Sequence, residues 1–120
     1  MPKVDFYRTP KGNIPVIDFI DKECPDEIKG KILAGIKDIE TYGTQLLYIK
    51  PGVIKPLGDK LFELKISGED KWYRVIHAYV GGNVVVFLNA LIKKRNNIDP
   101  DDILESKKRL RRYLAGKKTG

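Results

Sequence analysis

From Leu61 to Leu91 the side chains alternate with a period of two, and this run leaves few folds open to the chain. Over Leu61–Ser67 it puts Phe62, Leu64 and Ile66 on one side and Leu61, Glu63 and Lys65 on the other. Trp72–Val80 supplies a second strand, Gly81-Gly82-Asn83 a tight turn, and Val84–Leu91 a third strand. Three strands so joined predict an antiparallel meander. Its pleat lets one face bury against helices while the other carries charge.

Between about Pro15 and Gly43 the periodicity is helical. Val4–Arg8 alternates as a short strand and is stopped by the turn residues Pro10, Gly12 and Asn13. A short helix is predicted from about Pro15 to Lys22, with Val16, Ile17, Phe19 and Ile20 as its apolar face. Pro25, followed by Asp26 and Glu27, opens a longer helix in which Ile28, Ile32, Leu33, Ile36 and Ile39 recur every three or four residues, until Gly43 ends it. Asp99 as N-cap, Pro100 and the acids Asp101 and Asp102 open a last helix, with Ile103, Lys107, Leu110 and Leu114 on one side. The order β, α, α, β, β, β, α predicts the α+β class, a two-helix hairpin packed on a mostly antiparallel sheet, with helices segregated to one face.

A chain of 120 residues is the length of one ordinary domain, so residues 1–120 are expected to fold as one unit. The longest apolar stretch, Val84–Leu88, gives way to Asn89, far short of the roughly 20 residues of a membrane span. The opening Met1-Pro2-Lys3-Val4-Asp5 lacks the pattern of a secretory leader, which predicts a cytoplasmic protein that meets no membrane. Cys24 is the only cysteine, so neither an internal disulfide nor a cysteine zinc cluster can form.

Charge is unevenly placed. All 16 acids lie at or before Glu105, and the whole net charge of +7 sits in Lys107, Lys108, Arg109, Arg111, Arg112, Lys117 and Lys118. A cationic end of this kind suits a polyanion, because each phosphate neutralised releases condensed counterions. It equally suits a solvated helix end whose cations complement the dipole.

No phosphate loop, metal cluster or nucleophile elbow is present, and no cofactor is predicted, so any catalysis has to use cations and carboxylates. These gather in the meander: Lys60, Glu63 and Lys65 in and before its first strand, Arg74 in its second, and Lys93, Lys94 and Arg95 where its third ends. Arg74, set between Tyr73 and Val75, costs desolvation energy unless it is paired or faces a groove. Two readings follow, a substrate contact or a structural ion pair with Glu63. Cleavage of RNA by its own 2′-hydroxyl needs alignment, a base, an acid and positive charge on the phosphate, and it needs no metal. Arginine and lysine provide that charge.

The segment Lys55-Pro56-Leu57-Gly58-Asp59-Lys60-Leu61-Phe62-Glu63-Leu64-Lys65-Ile66, then Tyr73-Arg74-Val75-Ile76, then Phe87-Leu88-Asn89-Ala90-Leu91-Ile92-Lys93-Lys94 with Pro100 behind it, resembles the RelE/ParE toxin superfamily in its HigB-like, phage-derived branch. Phe6-Tyr7-Arg8-Thr9 and Gly12, Pro15 and Val16 extend the likeness to nearly the whole chain. The resemblance implies a type II toxin–antitoxin system, in which the toxin cuts mRNA on the ribosome and a helix-turn-helix antitoxin holds it inactive. It carries the family's strand arginine onto Arg74, its basic strand end onto Lys93 and Lys94, and its first-strand cation onto Lys65, so catalysis is expected of Arg74, Lys94 and Lys65; the charge cluster itself adds RNA binding by Lys60, Lys93 and Arg95 and a supporting ion pair from Glu63. The branch usually has arginine where Lys65 stands, a change that keeps the charge and loses the two-pronged grip. The stretch Asn96–Asp102 holds neither the tyrosine nor the histidine that many members use for proton transfer. A non-enzymatic DNA gyrase inhibitor of the ParE kind, and an inactive RNA- or antitoxin-binding relic, are the alternatives, since one fold serves all three.

Overall fold

The structure is a computed structural model that describes residues 2–81, 83–94 and 98–119, with side chains up to 116. Strand β1 (Lys3–Phe6) leads into helices α1 (Pro15–Glu23) and α2 (Asp26–Tyr42). A 3₁₀ turn (Gly43–Gln45) and the single turn α3 (Leu46–Ile49) follow, then strands β2 (Ile54–Gly58), β3 (Leu61–Ser67), β4 (Trp72–Val80) and β5 (Val84–Lys93), and helix α4 (Pro100–Thr119). Proline opens α1, α2 and α4, each at a position where its missing N–H costs nothing. Gly43 closes α2 with φ 58°, its N–H donating to the Ile39 carbonyl.

The five strands form one sheet in the order β1-β5-β4-β3-β2. The meander β3-β4-β5 is antiparallel, and β1 adds to its far side parallel to β5. Strand β2 was not expected, because Pro56 and Gly58 look like loop residues. It lies at the sheet's edge, where proline is tolerated, and it bulges between Pro56 and Gly58. Asp59 and Lys60, both with positive φ, turn it tightly into β3.

Alternation gives the sheet two cores. Leu64, Val75, Val85 and Phe87 face α1 and α2, joining Val16, Ile32 and Ile39. Gly35 is the point of closest approach, since a Cβ there would meet the Leu64 methyls at 2.8 and 2.9 Å. The second core, around Leu61, Ile76, Ala78, Val86 and Leu88, is closed by Ile103, Leu110 and Tyr113 of α4. The expectation that all helices share one face is therefore corrected for α4, which covers the opposite face. It docks through Tyr113 rather than Leu114, which stays exposed. No helix among the described residues is long and apolar enough to cross a membrane.

Candidate functional site

Antiparallel register decides which meander residues meet. Lys65 sits directly across from Arg74, Trp72 from Lys93, and Arg74 from Leu91. Glu63, two residues before Lys65, shares the same face. Lys65, Arg74, Glu63 and Lys93 therefore converge at one end of the face that α4 covers.

Their side chains are not equally accessible. The Nη1 of Arg74 donates to both carboxylate oxygens of Glu63, at 3.0 and 3.1 Å, and the two residues are 1% and 0% exposed. This is a buried ion pair, in which each charge compensates the other's desolvation. An open groove in front of Arg74 was the premise of its role as a phosphate contact. The structure corrects that premise, because Arg74 is closed off from solvent and its Nη1 is engaged by Glu63. The Nζ of Lys65 is half-buried 4.2 Å above the Trp72 ring, a cation–π contact that orients it along the sheet.

Lys93 turns toward the first turn of α4, pairing with Asp99 at 2.5 Å and Asp102 at 3.1 Å. Its hydrogen bond to Asp99, then that to Asp102, raises its pKa above the usual lysine value. Lys94 is not brought to this cluster. As the next residue along the strand it points the other way, and it lines a cleft with Glu27, Lys31, Lys71 and Tyr73 beside the start of α2. Grouping Lys94 with Arg74 and Lys65 is thus corrected by alternation itself. Lys60 stands exposed in the β2–β3 turn, next to Asp59, which pairs with Lys107. Arg95 lies outside the described residues.

The cationic helix also divides. Arg109 is structural: a bulge in β5 at Leu88–Asn89 turns the Leu88 carbonyl out of the ladder, and Nη1 of Arg109 donates to it at 2.8 Å and to Asn89 Oδ1 at 3.1 Å. Its Nε is held by Glu105. Lys108, Arg111 and Arg112 remain exposed on α4.

Sequence reasoning left two other groups without a place. His77 is fully buried among Phe62, Tyr79 and Phe87, and burial lowers its pKa to about 4. It is a neutral core residue. The Tyr113 hydroxyl donates to Asp5 at 2.7 Å, tying α4 to β1; burial, then this bond, raises its pKa. The spacing of Tyr113 from Leu110 and Arg109 was the available signal, since it continues the docking stripe. Cys24 is buried, and burial raises its pKa, so it stays an inert thiol.

An α+β protein with helices on both faces of a mixed sheet, and cations gathered at one end of its meander, is consistent with a RelE-like fold. The family model described as phage-derived protein Gp49-like (DUF891) matches residues 19–111, and the chain belongs to that family. No curated protein matches it.

Proposed function

We propose that this protein is the toxin of a type II toxin–antitoxin system, an mRNA endoribonuclease that works on the ribosome without a metal and is held inactive by a helix-turn-helix antitoxin. Membership of the phage-derived family supports a toxin. The observation that carries the reading is the register, which sets Lys65 across from Arg74 and Lys93 across from Trp72 on one sheet face. In the reaction the 2′-oxygen attacks the adjacent phosphorus and the bond to the 5′-oxygen breaks. The proton leaves the 2′-hydroxyl and one is delivered to the 5′-oxygen, giving a 2′,3′-cyclic phosphate and a 5′-hydroxyl. Lys65 and Lys93 stabilise the crowded phosphate, which takes the place of the Asp99 and Asp102 carboxylates beside Lys93. Arg74, locked to Glu63, holds the potential and shape of the face behind them.

The test is brief induction in a bacterium with mapping of mRNA 5′ ends. The parent is expected to arrest growth and to cut within translated frames, and Lys65→Ala with Lys93→Ala to lose at least tenfold of the cutting, about 1.4 kcal/mol of transition-state stabilisation. Arrest with intact mRNA and altered DNA supercoiling would transfer the protein to gyrase inhibition. Absence of arrest at every expression level would make it a binding module.

A further inference from the structure

The sheet edge at β1 carries a site that this reading leaves unused. Between the strand with its following loop and the C-terminal half of α4 runs a cleft of about 680 Å³, the size of an ordinary small-ligand site. Arg8 and Thr9 line one wall; Arg112 and Tyr113 line the other. Both arginines are exposed, and neither enters an ion pair found among the described residues. The two arginines outnumber the one carboxylate of the lining, that of Asp5, so the cleft is net cationic and suits an anion.

The local geometry also says what kind of anion. The amides of Lys3 and Tyr7 donate to the carbonyls of Asn83 and Phe87 of the β5 side, so the amide of Phe6, between them in alternation, points outward. An added peptide strand would need that amide. It is already taken by Asp5 Oδ1 at 2.9 Å, while the other Asp5 oxygen is held by Tyr113. Strand addition at that amide is thus blocked, and the Asp5–Tyr113 clasp ties the cleft's two walls together. Arginine forks match phosphate, and an aromatic ring beside them suits a nucleobase.

We infer that the cleft between β1 and the end of α4 binds a phosphodiester of single-stranded RNA, gripped by Arg8 and Arg112, as a contact separate from the meander cluster. This rests on the proposed action on RNA. It places a second hold roughly 15 Å along α4 from Asp102, at 1.5 Å per residue over the ten residues to Arg112.

The test is anisotropy of a labelled oligouridylate with the full chain, at about 50 and about 200 mM salt. Arg8→Ala with Arg112→Ala is expected to weaken binding about tenfold or more and to flatten the logarithmic salt slope by about 0.7, the share of the one phosphate that the two arginines hold. Lys108→Ala with Arg111→Ala removes the same charge from α4 outside the cleft and is expected to change affinity far less. All four residues are exposed, so melting temperatures should match the parent. Equal losses in both double variants, or loss in neither, overturn the inference. So does oligoglutamate that binds through Arg8 and Arg112 more tightly than RNA, which would mark a site for an acidic polypeptide. If the parent binds no RNA and induction cuts no mRNA, the proposed function and this inference fall together. If the parent cuts mRNA and the Arg8/Arg112 variant still binds RNA as the parent does, the cleft alone is refuted.

Discussion

Under α1 and α2 the sheet presents Leu64, Val75, Val85 and Phe87; under α4 the same strands present Glu63, Arg74, Asn89 and Lys93 among Ile76, Ala78 and Leu88. The first face is held by apolar packing, with the imidazole of His77 buried among its aromatic rings. The second is held by a buried ion pair, a bulged carbonyl bonded to Arg109 and a lysine clasped by two carboxylates. Strand alternation makes these faces neighbours one residue apart, so a chain can fold on one and keep charge on the other. The division places apolar packing and charge on opposite sides of one layer.

The sharpest way to break that contrast is Arg74→Ala. It strands Glu63 in a closed site, and thermal or urea unfolding is expected to show a loss of about 3–5 kcal/mol. Glu63→Leu with Arg74→Met should recover most of it. A single variant as stable as the parent would mean that the pair is solvated and the α4 face open.

The apolar face is probed by pH. His77 titrates near 4 when folded against an ordinary value near 6.5, so the unfolded chain binds more protons between these values. Its contribution to stability is complete above about pH 6.5 and is lost as pH falls toward 4, with a total of about 3 kcal/mol. In His77→Phe, which fits the aromatic cluster, that part of the acid sensitivity should disappear from the unfolding free energy measured across this window. An unchanged pH profile would show that His77 is hydrated in the fold.

A smaller effect separates two glycines of α2. Gly35→Ala should destabilise by about 1–3 kcal/mol, because its methyl meets Leu64 in a packed core. Gly30→Ala, with nothing within 4 Å of the added atom, should stabilise by about 0.5–1 kcal/mol. Equal responses would show that α2 does not approach the sheet as closely as its spacing implies.

Much of this architecture is legible in the sequence, for physical reasons that also mark where legibility stops. Pro15, Pro25 and Pro100 announce the helix starts, and the period-two run gives β3, β4 and β5, with β5 reaching Lys93 instead of ending at Leu91. Strand β2 is hidden by Pro56, because local preference carries no information about an edge position. The stripe Ile103, Leu110 and Tyr113 tells that α4 docks, but not on which face, since Leu61, Ile76 and Ala78 are apolar enough to receive it. In the candidate site, the pairing of Glu63 with Arg74 follows from shared side and neighbouring strands. Their burial does not, because it depends on α4. The misplacement of Lys94 was avoidable, as adjacent strand residues point to opposite faces.

The most direct measurement programmes purified ribosomes with one defined mRNA, adds the protein, and determines both the cut positions and the chemistry of the new ends. The account predicts cuts within the translated frame bearing 2′,3′-cyclic phosphate and 5′-hydroxyl ends, lost when Lys65 and Lys93 are both alanine. Intact message, or ends bearing 5′-phosphate, would contradict it.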